Sequence, residues 1–386
     1  MFDLLRVSKA IREENLDGWL FVNFAHRDAL TDSILGLDPD AVSTRRWFYI
    51  IPSAGSPQKL VSTLEDSILD PLPGETTSYY AKKDLEKGLS TFSGKTFAVL
   101  EDPAIQVLST IDAASVDLVR SVGIKTVSAA SLVQRIHGVL DAQGIESHEK
   151  AIRVLLSIVK TAWAFVESSL KAEKTLHEGD VQDFMRSALS RANLVTNHPP
   201  IVASGPNSAN PHYSVEGKGR RIGADEVLQF DIWAKSPRGI YSDISWVGFT
   251  GYDVPKRIDE RFKLLLEARD LVKPAIQRSF AAGIAPIGAE LDTLVREFLL
   301  AHFPNEAIRH RTGHGIDTEC HGTGVNLDSV EFPDSRTLLE GSCFSVEPGA
   351  YFETEGFRTE IDIYIQDGKP ILSGGISQSE ILKFKD

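Results

Sequence analysis

The stretch from Val227 to Phe249, VLQFDIWAKSPRGIYSDISWVGF, limits the possible folds of this chain more than any other. Two apolar runs flank the turn-like Ser236-Pro237-Arg238-Gly239, a pattern that predicts a β-hairpin. Side chains alternate across a strand, so Leu228, Phe230 and Ile232 share one face and Asp231 takes the other, while Ile244 and Trp246 oppose Asp243. Closed symmetrically about Pro237, the hairpin sets Asp231 directly opposite Asp243, and like charges so placed are destabilising. Something positive is expected between them, either a Lys or Arg or a metal ion.

The 386 residues are 42% hydrophobic and 25% charged, an ordinary globular composition with length enough for two domains. A formal net charge of -13, with no Lys/Arg-rich block, leaves no basic face for a phosphate backbone, so nucleic acid is not an expected partner. Cys320 and Cys343 have no CxxC spacing and read as small buried hydrophobes in a reducing compartment. The start lacks the apolar core of a signal peptide, and no run approaches 18 apolar residues; the expectation is a cytoplasmic protein without a membrane segment.

Residues 1–140 alternate short apolar strands (18–23, 45–52, 59–62, 96–101 and 124–129) with candidate helices, which predicts a small α/β domain. Residues 140–147, around Gly144, read as its boundary, with a second domain over 146–386. There, helical spacing runs through Ile152, Leu155, Leu156, Val159, Trp163, Val166 and Leu170, and again from Val181 to Leu189, before the aspartate hairpin. Helical spacing returns at Phe262 to Val272 and at Leu291 to Leu299, and a second strand pair follows at 342–352 and 356–366. Helix, helix, hairpin, repeated at roughly 110 residues, suggests an internal duplication that sets two hairpins about a pseudo-two-fold axis.

In CFSVEPGAYF and GFRTEIDIYI, Glu347 and Glu360 fall on the non-core face of apolar strands, where a carboxylate is costly unless paired or metal-bound. Asp231, Asp243, Glu347 and Glu360 thus occupy equivalent faces of two hairpins. Between the hairpins lie His310, His314 and His321, and His212 sits in the Gly/Asn/Pro-rich loop ASGPNSANPHY. Imidazole among carboxylates suits Zn, Mn, Co or Fe, and four acids place too much negative charge around one ion but fit two. Singly, a strand acid is more often salt-bridged and a lone His more often structural, as expected for His26, His137, His148, His177, His198 and His302. Four acids on matched faces with a histidine cluster between them favour metal. No G-x-S-x-G elbow, phosphate loop or dinucleotide fingerprint offers a competing chemistry.

The ordered set Asp231, Asp243, His314, Glu347, Glu360 resembles the five ligands of the pita-bread metallopeptidases. The His310-x-x-x-His314 and His321 spacing, the Ser204-Gly205 to His212-Tyr213 loop, Glu347-Pro348-Gly349 and Arg358-x-Glu360 resemble its aminopeptidase P and prolidase branch. The resemblance implies a creatinase-like α/β domain followed by an α+β pita-bread catalytic domain, and two divalent ions, manganese first among them. It implies Asp231 on one ion, His314 and Glu347 on the other, and Asp243 and Glu360 bridging both. His212, His310 and His321 would orient substrate and assist proton transfer, with Glu347 as proton carrier and Arg358 holding an acid or substrate charge in place. Hydrolysis of Xaa-Pro bonds in short proline-containing peptides by a homodimer is the implied activity. The rivals are a pita-bread hydrolase or lyase acting on a small molecule and a metal-free peptide-binding pseudo-enzyme. Three departures from the family pattern stand out. The aspartates lie 12 positions apart where 11 is expected, with Tyr241 two residues ahead of Asp243 rather than three. Asp317 replaces an expected Gly, and Gly322 replaces the acid expected after the last His.

Overall fold

The computed structural model describes residues 2–385, which divide into two compact units between His137 and Gly138. Each unit forms for reasons visible in its strands.

In the first, α1 (Leu4–Glu13), β1 (Gly18–Asn23), α2 (Ala29–Leu35), β2 (Trp47–Pro52), β3 (Gln58–Ser62), β4 (Glu75–Tyr79), α3 (Lys82–Ser90), β5 (Thr96–Val99), α4 (Ala113–Ser121), β6 (Lys125–Ser128) and α5 (Ala130–Ile136) build a six-stranded sheet ordered β4-β3-β2-β1-β5-β6. The period of two decides which residues go where. Trp19, Phe21, Trp47, Tyr49 and Val61 pack on α1 and α5, while Leu20, Val22, Phe48, Ile50 and Leu60 pack on α3 and α4. Both faces are therefore covered, as in an α/β sandwich. β4 has the sequence Glu-Thr-Thr-Ser-Tyr and is exposed along most of its length. It is an edge strand held by backbone pairing to β3, so it carries no apolar signal.

The second unit opens with α6 (Ala142–Lys171), α7 (Glu178–Arg191), β7 (Ile201–Ser204), β8 (Val227–Ala234) and β9 (Ser242–Phe249). It continues with α8 (Lys256–Asp270), α9 (Val272–Ala281), α10 (Gly288–His302), β10 (Cys343–Val346), β11 (Gly349–Tyr351), β12 (Gly356–Arg358), β13 (Ile361–Gln366) and β14 (Lys369–Leu372). Residues 142–147, expected as linker, are the first turns of α6, capped by the Asp141 carboxylate on the Gly144 N–H. The helix read through Val272 ends at Asp270 and restarts as α9, because Pro274 has no N–H to continue the ladder.

Helix, helix, hairpin does occur twice. α7 and α10 are each entered through an isolated β-bridge, His177 to Arg221 and Ile287 to Thr337. α6 and α7 bury Ile152, Leu155, Val159, Val181 and Met185 against Leu228, Phe230, Ile232 and Ile244. α8 and α10 bury Phe262, Leu265, Leu291 and Val295 against Phe344, Val346, Phe357 and Ile363. Each hairpin thus turns its apolar face to its own helices, and the acid-bearing faces meet inside the unit.

The first hairpin closes one residue later than its symmetry suggested. Gly239 N–H bonds the Ser236 carbonyl, and Arg238 at i+2 has φ 63°, so Pro237 occupies i+1 of a type II-like turn centred nearer Arg238. The register is therefore Asp231 with Ser245 and Trp233 with Asp243. The two aspartates share a face as diagonal neighbours and are not directly opposed. The second hairpin is also not continuous: β10 pairs with β13 and β11 with β12, and the ladder breaks at Glu347-Pro348 against Thr359-Glu360. Pro348 offers no donor there, the Glu347 N–H bonds the Thr312 carbonyl and the Glu360 N–H bonds the Ser245 carbonyl. Both glutamates sit at the break. No helix among the described residues is long and apolar enough to cross a membrane.

Candidate metal centre

Side chains from one hairpin fasten the backbone of the other. The Asp243 N–H bonds Asp362 Oδ2 at 2.8 Å, tying β9 to β13. Gln229 accepts from the Arg358 N–H at 2.9 Å and donates to the Arg358 carbonyl at 3.1 Å, tying β8 to β12. Ser245 Oγ donates to Glu360 Oε2 at 2.8 Å and accepts from Arg358 Nε at 3.0 Å. His314 arrives on a segment paired with β10, its N–H bonded to Ser345 Oγ at 3.0 Å and its carbonyl accepting the Ser345 N–H at 2.9 Å.

These ties bring Asp231, Asp243, His314, Glu347 and Glu360 together. His314 Nε2 lies 3.4 Å from Glu347 Oε1 and 3.9 Å from Asp243 Oδ2, with Nδ1 turned to the Gly315 carbonyl. Donor atoms lie within 4.8 Å of one another in each of three overlapping groups: Asp231, Asp243 and Glu360; His314, Glu347 and Glu360; Asp243, His314 and Cys320. Arg358 forms a buried ion pair with Asp231 and also donates to the Pro211 carbonyl and the Tyr351 hydroxyl, at 3.0 and 3.3 Å.

The chemistry of these residues fits divalent cations. Asp231 Oδ1, Asp243 Oδ1 and Glu360 Oε1 are buried without a hydrogen-bond partner, a state that costs several kcal/mol per group, at about 2–7, unless a cation compensates it. Burial, then Asp231 and Asp362, push the Asp243 carboxyl well above the usual range, and burial, then Asp243 and Glu347, do the same for Glu360. Burial, then His321 and Arg311, hold His314 well down, leaving a neutral imidazole able to ligate.

Glu347 is pushed up to about 7, by burial first, with Arg358 opposing and Asp231 adding. A carboxyl raised on folding stabilises the fold below its unfolded value near 4.5, and that contribution is lost as pH rises through about 7. In chelator-treated protein, Glu347→Gln should therefore gain on wild type in unfolding free energy between about pH 5 and about pH 8, by on the order of 3 kcal/mol, read as a widening Tm difference. Differential scanning fluorimetry of both proteins across that range checks this; a gap that stays constant with pH contradicts it.

The other expected residues surround the cluster at graded depth. His212 and His321 are exposed, and the His321 ring stands 4.3 Å from that of His314. His310 is half-buried and pushed down to about 3 by burial and by Arg358. Its ring nitrogens meet the Arg311 carbonyl at 2.7 Å and the Tyr351 hydroxyl at 2.8 Å. Both of its ring nitrogens are thus engaged. A Cβ on Gly349 would fall 2.6 Å from that hydroxyl and 2.8 Å from His310 Nε2, so this turn has no room for a side chain.

Several residues at the site were not read as functional from the sequence. Cys320 is more than a small hydrophobe, since its thiol donates to Asp243 Oδ2 at 3.1 Å. His148, grouped with the structural histidines, is fully buried; its nitrogens meet the Tyr241 carbonyl and Ser373 Oγ, each at 2.7 Å, and it faces Asp362 at 3.8 Å. Asp362 shares the strand face of Glu360, and that alternation was the available signal. Asp317 and Gly322, two departures from the family pattern, touch: Asp317 Oδ2 accepts from the Thr323 N–H and Oγ1 at 2.7 and 2.8 Å, and a Cβ on Gly322 would lie 2.6 Å from Asp317 Cγ.

Comparison with known proteins places the chain in a family. Residues 146–367, more than half of the chain, match the model of metallopeptidase family M24. An Xaa-Pro dipeptidase of Lactobacillus delbrueckii subsp. lactis is 29% identical over 163 residues, covering 42% of this chain and 40% of that protein. Across four such curated relatives the aligned region takes in 37% to 64% of the relative's length. Among solved structures, the dipeptidase PepE of Mycobacterium ulcerans superposes with a TM-score of 0.75 at 19% identity, over 98% of this chain and 96% of that one. The N-terminal domain of FACT complex subunit SPT16 from Cicer arietinum shares the fold as well, with a TM-score of 0.70 at 14% identity over 100% of both chains. By the extent of the family match, the chain is a member of metallopeptidase family M24.

Proposed function

We propose that this protein hydrolyses Xaa-Pro bonds in dipeptides or short peptides, using two divalent ions held by Asp231, Asp243, His314, Glu347 and Glu360. The observation that carries this reading is the set of three buried carboxylate oxygens without partners, converging beside a neutral His314. Manganese is the ion the resemblance implies, with cobalt, zinc and iron open to the same donors. When bound, such ions supply Lewis-acid polarisation of a carbonyl and a lowered pKa for water.

The chain's own residues then divide the remaining work. Glu347, the most exposed carboxylate of the set, with a carboxyl near pH 7, takes a proton from water and returns it to the leaving nitrogen. His321, at the exposed rim beside His314, donates to the carbonyl oxygen as charge develops there. His212 meets the substrate at the same rim. His310 and Tyr351 act as a unit with Arg358, and Arg358 keeps Asp231 turned to the site. A homodimer working in the cytoplasm belongs to the same proposal, on resemblance alone.

The rival reading is a metal-free peptide-binding pseudo-enzyme on the same fold. Fold alone does not separate the two readings, but that rival leaves the three unpartnered oxygens unexplained. A length series, Ala-Pro, Ala-Pro-Ala and longer with Ala-Ala as control, assayed with manganese and with zinc, tests the proposal. Release of alanine from the proline series with no release from Ala-Ala is expected. Metal-loaded protein inert toward the whole series overturns it.

A further inference from the structure

The resemblance provides five ligands, yet a sixth donor of a different chemical kind reaches the same cluster. Cys320 is 6% exposed, and its Sγ lies 3.1 Å from Asp243 Oδ2, inside the group that also contains His314. Its present partner is itself incompletely satisfied, because Asp243 Oδ1 is buried and unpartnered. Zinc–sulfur and zinc–oxygen bonds of about 2.3 and 2.1 Å, meeting at 90–110°, set the two donors roughly 3.1–3.6 Å apart. The observed separation lies in that interval.

The fold also gives this thiol its direction. Cys320 ends a loop that leaves β10's neighbouring segment at Gly315 and returns through the bond from the Gly322 N–H to the Gly315 carbonyl at 2.7 Å. Asp317 holds the same loop from inside by accepting from Glu319 N–H and Thr323 N–H. Cys343, the other buried thiol, instead lies 3.8 Å from His148 Nε2, behind the hairpin.

We propose that Cys320 is an additional metal ligand, a thiolate on the ion shared by Asp243 and His314, which biases that position toward zinc, cobalt or ferrous iron over manganese. The inference rests on the metal-centre reading above. On binding, the S–H bond breaks, a sulfur–metal bond forms and the proton leaves to solvent. Thiolate donors select softer ions, whereas manganese is best served by carboxylate and water, so one sulfur is enough to change the preference.

Cobalt(II) provides the test, since a cobalt–thiolate bond has a sulfur-to-metal charge-transfer band in the near ultraviolet. Full-length protein freed of metal is titrated with cobalt, bound cobalt is measured by equilibrium dialysis, and spectra are taken for wild type, Cys320→Ser, Cys320→Val and Cys343→Ser. The band is expected in wild type and Cys343→Ser and absent from both Cys320 variants. Zinc affinity in those variants should fall about tenfold or more, with manganese affinity changed far less. Bound cobalt without the band in wild type, or a band that survives both Cys320 substitutions, overturns the thiolate and leaves the metal centre standing. No cobalt bound to wild type overturns both.

Discussion

Asp243→Ala is expected to lose bound metal and to lower kcat/KM on Xaa-Pro dipeptides by about 10³-fold or more. Removing even one preorganised electrostatic contact from an active site costs about 10²–10³ in rate, and Asp243 belongs to two of the three donor groups. Nothing nearby replaces it: its backbone is fastened by Asp362, so the strand does not shift another carboxylate into its place. The substitution also has a signature of opposite sign. Burial and the neighbouring acids Asp231 and Asp362 disfavour the Asp243 charge in the metal-free fold. Chelator-treated Asp243→Ala should therefore melt at or above chelator-treated wild type at neutral pH, while wild type alone gains Tm when metal returns. Metal content by mass spectrometry, dipeptide assays and thermal melts provide the three readouts. Activity retained in the variant would remove Asp243 from the site.

Arg358→Leu should be the most destabilising change at the site, by about 3–5 kcal/mol, the usual cost of leaving one member of a buried ion pair without its partner. Arg358 and Asp231 side chains are 6% and 10% exposed, so water gives Asp231 little relief. For a unit of this size the loss corresponds to a fall in Tm of roughly 10 °C. Adding Asp231→Asn to Arg358→Leu removes the stranded charge, and the double variant should recover part of the loss in chelator. Strictly additive effects of the two substitutions would show that the pair does not couple. Leucine also abandons the Tyr351 hydroxyl, so kcat/KM of any metal-loaded variant should fall further than stability accounts for.

The acids were legible because strands expose their period. Asp231, Asp243, Glu347 and Glu360 each interrupt an apolar run, and a buried carboxylate is conspicuous at one residue in two. Register was less legible, because it depends on the backbone of a single turn residue: with Arg238 at positive φ, Asp231 slides from Asp243 to Ser245. Likewise, nothing in the letters of GFRTEIDIYI marks a break in pairing at Glu360, whose N–H goes to Ser245 on β9. Cys320 was hidden for a different reason. A thiol reads as a small apolar group until its neighbours are known, and the carboxylate it meets, Asp243, lies 77 residues away. β4 carries no hydrophobic pattern, as an edge strand need not.

Asp317 and Gly322 give that last point a wider form. Where the resemblance expects glycine and then an acid, this chain has an acid and then glycine, and the two residues share one volume. In this chain the corner holds the Asp317 carboxylate in the space that a side chain at position 322 would enter. Asp317→Gly alone would strip the Glu319 and Thr323 N–H groups of their acceptor, and a side chain at Gly322 alone would collide with Asp317.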